Sequence, residues 1–427
     1  MLSMTYRTLT DLGAPFIGLY MLKRRAEGRE DPKRFGERFG ISKRPRPPGR
    51  LVWCHAASVG EAASILALIG KIRATYPDTH ILVTTWTITS GRMLASRLPE
   101  GAFHQYMPVD RMGYVKRFLR HWKPDFALLI ESELWPNMLK ALHETKIPTA
   151  LINGRMSTDS FKRWHRFKGW AEELVGDFVV TLTQTEEDRK RYTALGADPV
   201  RCPGNLKYTA KPLPVDEAEL KNLRAAIGER PLWLFASSHR GEEKMAIEAH
   251  QKLRAKWPNL LTIIVPRHAV RGNEISEILS ESGVATARRS NKEPITAETE
   301  INLADTMGEL GLFYRLAPVV ALGGSFIQVG GHNPIEPAQL DCAIILGPYM
   351  HNFSAIAREF VTQKAAIKLD KPARLAATVE RLLETPAERA QYTGAARLLA
   401  EQKSHVLDDV LKELTPWLAP KTTTKSK

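Results

Sequence analysis

The chain has 427 residues, 43% of them hydrophobic and 25% charged, the balance of an ordinary globular protein with enough length for two domains. Cys54, Cys202 and Cys342 lie far apart with no C-x-x-C pair, and neither H-E-x-x-H nor D-x-D occurs; this argues against a disulfide framework or a dedicated metal site, and for a reducing compartment. Half of the net charge of +14 falls in residues 23–50, where eleven Lys/Arg stand against four Asp/Glu, so this stretch is expected to meet a polyanion, either nucleic acid or an anionic membrane surface.

The chain opens with "LGAPFIGLYML", 12–22, apolar and uncharged. As a helix it spans about 17 Å, too short for roughly 30 Å of hydrocarbon. It has no small-residue cleavage site and runs into Lys23-Arg24-Arg25, so it does not read as a cleaved signal. It suits a helix lying in a membrane surface or a buried N-terminal helix. From residue 51, short apolar runs (51–56, 80–86, 126–131, 148–152, 178–183) alternate with helical patterns (61–75, 89–97, 113–122, 134–145, 186–195). That alternation predicts a parallel sheet covered by helices. "TAKPLPVDE", 209–217, reads as a linker. The rhythm then restarts: strands at 232–236, 261–265, 300–303, 318–322 and 343–346, helices at 242–256, 271–282, 307–316, 335–340 and 353–362. Residues 384–400 and 403–418 read as helices, and "KTTTKSK" as a disordered tail. The expected organisation is therefore an apolar and basic membrane-associating segment (1–50), a Rossmann-like domain (51–208), a linker (209–217), a second Rossmann-like domain (218–402), a C-terminal helix (403–420) and a tail (421–427). In such doubly wound α/β domains ligands bind at the C-terminal ends of the strands, here in a cleft between the two.

Several motifs fall at those strand ends. In "HAASVGE", 55–61, Ser58 and Glu61 fit a capping box, and Glu61 also suits the helix dipole. "LWLFASSHRGEE" repeats the pattern at the start of the second half. "IESELWPNML" carries Glu131 and Glu133, either helix-start charges or site carboxylates beside Trp135. "GNLKY" places Lys207 before the linker, and "IIVPRHAVR" puts Arg267 and His268 after a buried strand, where an arginine suits a phosphate. "LGGSFIQVGGHNPIEPAQL", 322–340, holds two glycine pairs at one strand–helix junction. Glycines let backbone N–H groups approach an anion. Asn333 is expected at the N-cap and Pro334 at the first helical position. Glu336, one turn in, is placed to accept from ribose hydroxyls. Met307-Gly308-Glu309 is expected to open a helix. Finally, in "FKRWHRFKGW", 161–170, Phe161, Trp164, Phe167 and Trp170 recur every third residue with Lys162, Arg163, Arg166 and Lys168 between. In one helix this makes an aromatic stripe that either packs inward or lies at a membrane interface.

HAASVGE, ESELWPN, GNLKY, PRH, DTMGEL and GGHNPIEP, in this order, resemble the bacterial 3-deoxy-D-manno-octulosonic acid (Kdo) transferases of lipopolysaccharide synthesis. The resemblance covers nearly the whole chain. It implies a GT-B fold with two Rossmann-like domains, acceptor on the first and nucleotide on the second. The implied donor is CMP-Kdo, the acceptor the lipid A precursor (lipid IVA) at the cytoplasmic face of the inner membrane, with no metal, no other cofactor and no nucleic acid. By matching motif, Glu61 is the general base, and Glu131 and Lys207 stabilise the transition state. Pro266, Arg267, Met307, Gly308, Glu309, Asn333, Pro334, Ile335 and Glu336 contact CMP. The family's N-terminal anchor is usually longer than this one, so attachment is expected to be peripheral or N-terminal. Another GT-B enzyme, a UDP-sugar transferase or a nucleotide-sugar epimerase, would look alike and differ in nucleotide preference. A basic nucleic-acid-binding protein accounts for residues 23–50 but not for the glycine motifs.

Overall fold

The computed structural model describes residues 2–132, 134–209, 211–403 and 405–419. Glu133 and the tail 421–427 lie outside them. The chain divides into two compact units: Met1–Ala210 with His405–Lys427, and Lys211–Ser404. Each is built on a seven-stranded, wholly parallel sheet.

The strands of the first unit are β1 (Arg50–His55), β2 (Thr79–Thr85), β3 (Ala102–Tyr106), β4 (Phe126–Ile130), β5 (Thr149–Gly154), β6 (Val180–Thr183) and β7 (Val200–Arg201). Their spatial order is β3-β2-β1-β4-β5-β6-β7. The winding therefore reverses between β1 and β4, and doubly wound sheets bind ligands outside the carboxyl ends of the strands at such a reversal. HAASVGE leaves β1 and ESELWPN leaves β4. The inner strands are buried on both faces, as their unbroken apolar runs predict. The unpredicted strands β3 and β7 lie at the two edges. β3 reads "AFHQY", with too little apolar pattern to show in sequence.

The C-terminal helix Val406–Leu418 belongs to this first unit. Val406, Val410, Leu414 and Leu418 form one buried stripe in the core around β1 and β4, and Trp417 stacks on Phe126 at 6.1 Å. The N-terminus forms two helices, Leu2–Leu12 and Ala14–Ala26, rather than one segment at 12–22. Met21 is the one buried residue of the second. Phe16 is 77% exposed, and Leu9, Leu12, Leu19 and Leu22 are also exposed, so the buried-helix alternative for 12–22 is excluded.

The basic stretch 23–50 is partly turned inward. Arg38 is fully buried: it pairs with buried Glu30 at 2.8 Å, donates to Met107 O at 3.1 Å, and lies over Trp86 and Tyr106. Arg24 also pairs with Glu30 (2.8 Å), Arg34 with Glu37 (2.9 Å), and Arg46 donates to Trp122 O (2.7 Å). The charges left exposed are Lys23, Arg25, Arg29, Lys33, Lys43 and Arg44 with Glu27, which pairs with Lys23 and Arg29, so the charge offered outward is smaller than the composition suggests.

The aromatic stripe 161–170 is not one helix. Thr158–Arg166 ends at Phe167, and a second helix, Lys168–Val175, begins there. Phe161, Trp164 and Trp170 pack against the core, Trp164 and Trp170 edge to face at 5.4 Å. The inward reading holds for these three. Phe167 remains 47% exposed beside exposed Lys162, Arg163, Arg166 and Lys168.

The second unit contains β8 (Leu232–Ser238), β9 (Leu261–Pro266), β10 (Thr286–Arg288), β11 (Ile301–Leu303), β12 (Val319–Leu322), β13 (Ala343–Leu346) and β14 (Ile367–Lys368). Their order is β10-β11-β9-β8-β12-β13-β14, so the reversal falls between β8 and β12. The short strands β10 and β14, again at the edges, are the ones the sequence hides. The expected linker ends earlier than 217: Asp216 caps the helix Glu217–Ile227, accepting from Ala218 N and Glu219 N. Leu213 packs on the helix Leu310–Leu316, where Arg315 donates to its carbonyl at 2.8 Å.

Candidate functional site

In the first unit the predicted residues gather at the carboxyl edge of the sheet around the reversal. β1 ends at buried His55, whose Nδ1 lies 2.9 Å from Thr84 Oγ1. Ser58 then caps the short helix Val59–Ser64, its Oγ accepting from Glu61 N at 3.2 Å. The Glu61 carboxylate reaches back: Ser58 Oγ donates to Oε1 and Ala57 N to Oε2, both at 2.8 Å. These two bonds fix the orientation of a half-buried carboxylate, each occupying one lone pair of its oxygen. Capping and proton acceptance therefore do not compete.

Glu131 follows β4 directly, with φ at 61° and its side chain buried. Lys207 Nζ stands 3.0 Å from its Oε1. The contact is an ion pair without hydrogen-bond alignment, since that oxygen accepts no hydrogen bond among the described residues. Lys207 sits on the turn Leu206–Thr209, against which the helix carrying Glu61 packs. A chain of amides holds this turn. Asn153, at the end of β5, takes Leu206 N on its side-chain oxygen (3.0 Å) and Gln184 Nε2 on its carbonyl (3.0 Å). Gln184 accepts from Asn205 Nδ2 (2.9 Å), and Asn205 accepts Lys207 N (2.9 Å). None of these three amides was legible as a site residue, because their role comes from strand-end adjacency.

In the second unit, Pro266 closes β9 and Arg267 follows it, exposed, with its N–H on Ser238 O at 3.0 Å. The first glycine pair after β12 is dictated by packing. A methyl on Gly323 would lie 2.4 Å from Ser237 O, and Gly324 has φ at 63°. Gly330 and Gly331 have φ at 109° and 75° and lie against Asn352 and Met350. Gly323→Ala is expected to cost about 1–3 kcal/mol, since backbone must move to admit the methyl; an unchanged urea midpoint would show that β8 and β12 yield freely. Asn333 and Pro334 are displaced by one position from expectation. Pro334 takes the N-cap and the helix begins at Ile335, while Asn333 accepts Ile335 N on its side chain at 3.2 Å. That helix, Ile335–Ala338, is only four residues long. Glu336 lies in its first turn, 3.4 Å from Asn333 Nδ2.

Met307 and Gly308 do not open the helix. Gly308 has φ at 87°, and the helix starts at Leu310 after Glu309. Met307 is exposed. The Glu309 carboxylate is bound on both oxygens by Arg289, at 2.8 and 2.5 Å, and also accepts from Thr306 Oγ1. Arg289 holds the Glu309 carboxyl below the usual carboxylate range. What this turn presents is therefore backbone and Met307 rather than a free carboxylate.

The residue beneath the second edge is Glu242. Fully buried, it accepts from His239 N (2.9 Å), Gly324 N (2.7 Å) and Phe326 N (3.1 Å), so one carboxylate ties the loop after β8 to the glycine turn after β12. Its sequence signal was the Gly-Glu pair, Gly241-Glu242, repeating Gly60-Glu61 of the first half. Among the described residues no group of three or more His, Cys, Asp or Glu is placed to hold a metal ion.

Residues 33–210 match the family model for 3-deoxy-D-manno-octulosonic-acid transferase (kdotransferase). A 3-deoxy-D-manno-octulosonic acid transferase of Rickettsia bellii is 34% identical over 413 residues, spanning 96% of this chain and 98% of its own. The chain belongs to the Kdo transferase family. It is thus a glycosyltransferase. Among solved structures, a putative UDP-N-acetylglucosamine 2-epimerase from Listeria monocytogenes aligns with a TM-score of 0.60 at 12% identity, covering 86% of this chain and 96% of that one. A glycosyltransferase from Rickettsia africae aligns with a TM-score of 0.60 at 11% identity, covering 88% and 100%. At such identities these show the fold alone: two Rossmann-like domains of the GT-B class. In this Kdo transferase HAASVGE and ESELWPN thus follow the two strands at the first reversal and the glycine motif follows β12 at the second, while GNLKY, PRH and DTMGEL follow β7, β9 and β11.

Proposed function

We propose that this Kdo transferase moves Kdo from CMP-Kdo to a lipid A precursor, lipid IVA, without a metal, using Glu61 as general base. The observation that carries the reading is the Glu61 carboxylate, oriented by two donors yet half open at the reversal of the first sheet, beside the turn that sets Lys207 against Glu131. The acceptor hydroxyl gives its proton to Glu61 as its oxygen bonds to the sugar carbon; the bond from that carbon to the phosphate breaks and its electrons leave with CMP. Positive character on the sugar and negative charge on the phosphate develop together. Glu131 and Lys207 answer this charge, and fixed cations and backbone N–H groups of the second unit answer the phosphate.

On this reading the second unit carries the nucleotide. Arg267→Ala and Glu336→Ala are each expected to weaken CMP binding by about 1–3 kcal/mol, and calorimetry should show CMP preferred over UMP and UDP. A preference for UDP would instead favour a UDP-sugar enzyme. Activity should survive EDTA; loss of activity restored by Mg²⁺ would contradict a metal-free site.

The acceptor is a lipid, and the first unit carries a surface suited to one. No helix among the described residues is long and apolar enough to cross a membrane. The first N-terminal helix packs beside the segment that carries exposed Phe167 and its four cations: Ser3 donates to Glu173 at 2.7 Å, and Tyr6 meets Trp170 at 6.2 Å; exposed apolar residues continue on the second helix. Aromatic and aliphatic side chains at headgroup depth with cations on anionic headgroups describe a peripheral attachment to the inner membrane's cytoplasmic face. Each such cation adds about 1 kcal/mol of attraction, weakened by salt. A Lys162/Arg163/Arg166/Lys168→Gln variant, and a chain beginning at residue 26, should each sediment less with anionic vesicles than the wild type. Equal sedimentation of both would place the membrane contact elsewhere.

A further inference from the structure

Two histidines from different loops meet at the edge of the second sheet. His239 follows β8, and His332 follows the second glycine pair after β12. Their Nε2 atoms are 2.9 Å apart and their ring planes 9° apart, with ring centres separated by 5.2 Å. With the nitrogens so much closer than the centres, the rings lie nearly edge to edge rather than face to face, so an N–H···N bond between them is close to linear. One ring must carry its proton on Nε2 and the other leave its Nε2 bare. The donor ring therefore has a bare Nδ1.

Charged groups surround the pair. Glu242, below it, is bound by three backbone N–H groups. Glu243 accepts from Ser238 Oγ at 2.8 Å and from Arg271 at 2.6 Å, and Arg271 also holds Glu274 at 3.1 Å. Exposed Arg267 and His268 complete the set, the His268 ring edge-on to His239 at 5.9 Å. Glu242 and Glu243 are thus engaged from the protein side; Arg267, the imidazoles and, four residues beyond His332, the partly exposed Glu336 are the other charged or protonatable groups here. Burial first, then Arg267 and the other imidazoles, hold His332 down to about 3, and burial with His268 and Arg267 lowers His239. Both shifts favour the neutral form of the rings.

We propose that the His239–His332 pair, with Arg267, binds the nucleotide's phosphate and takes up one proton as it does so; this rests on the reading of the second unit as the CMP site. Burial is the larger cause of the lowered rings; an anion beside Arg267 offsets the part Arg267 contributes and adds a negative charge that favours the protonated pair. The incoming proton adds to the bare Nδ1 of the donor ring. The Nε2–H···Nε2 bond persists and becomes charge-assisted, and the new Nδ1–H is a further donor for phosphate oxygen. The pair thereby adds positive charge where the phosphate gains negative charge as its bond to the sugar breaks. Because binding consumes a proton, affinity falls as pH rises, by up to about tenfold per pH unit where a full proton is taken.

The test is calorimetric titration of the full chain with CMP, and separately with inorganic phosphate, at pH ~7.5, where both are mainly dianions. Two buffers of different ionisation enthalpy report the protons taken up. Wild type should take up between about half and one proton per CMP, and both His239→Gln and His332→Gln, whose amides still bridge the loops without titrating, should take up nearly none. Uptake absent in the wild type, uptake unchanged in either variant, or a CMP affinity that does not fall between pH ~7 and ~8, where the ligand is already mainly the dianion, overturns the proposal. CMP binding tightly without linked uptake leaves the nucleotide assignment standing and removes the pair. Phosphate binding with uptake that the variants lose, and no preference for CMP over phosphate, keeps the pair and removes the nucleotide assignment. Binding of neither ligand removes both.

Discussion

Glu61→Gln should lower turnover by roughly 10²–10⁴-fold while leaving the protein folded and CMP binding intact. As a cap, Glu61 satisfies Ala57 N and Ser58 Oγ on separate oxygens; in glutamine the one oxygen can keep the Ala57 N bond while the NH2 donates to Ser58 Oγ, so the stability cost is about 1 kcal/mol or less. As a base the carboxylate cannot be replaced, because an amide does not accept a proton near neutral pH. The two roles therefore separate cleanly in one variant. Initial rates, a urea midpoint and a CMP titration on the same preparation decide it. Near-normal turnover in a folded variant would remove Glu61 from the chemistry and leave it as a cap alone.

Glu242→Ala should destabilise the second unit by about 3 kcal/mol or more, since it strands three backbone N–H groups at a fully buried position, each costing about 1–3 kcal/mol. Against about 5–15 kcal/mol for a whole domain, that loss is severe. Glu242 and Glu61 occupy corresponding places in the two halves: each follows the first strand of its sheet, and each reaches back to a backbone N–H before its helix. Burial separates them. Glu61 is half open and suited to meet a substrate, whereas Glu242 is sealed and serves the loops above it. Burial also raises the Glu242 carboxyl above the usual carboxylate range. The folded state then keeps this proton to higher pH than the unfolded chain does, so the linked stability is fully present below the unfolded value and is lost as pH rises through the folded one. Glu242→Gln should flatten that part of the pH–stability profile. An unchanged profile would mean that the carboxyl is not raised.

The inner strands were legible because strands buried on both faces leave apolar runs, as "LVWCH" and "LTIIV" do. Edge strands need no such run, so "AFHQY" and "TAR" passed unseen. The motifs pointed correctly to strand ends, since each follows an apolar run directly. Pairing between distant residues was not legible. Composition counted Arg38 among charges for a polyanion, whereas Glu30 and two aromatic rings enclose it. Glu309 read as a ligand contact, and Arg289 holds its carboxylate. The three-residue aromatic spacing of 161–170 was visible, but the break at Phe167, which turns one aromatic outward from the others, was not. His239 and His332 are 93 residues apart, and only the neighbouring positions of β8 and β12 bring them together.

The central claim is that this Kdo transferase uses CMP-Kdo as donor and a lipid A precursor as acceptor, and the masses of the lipid products test it most directly. Incubated with CMP-Kdo and lipid IVA in the presence of EDTA, the protein should yield lipid heavier by one or more Kdo residues, with one CMP released for each. Lipid of unchanged mass from CMP-Kdo, with a gain in mass only when a UDP-sugar is supplied, would contradict it.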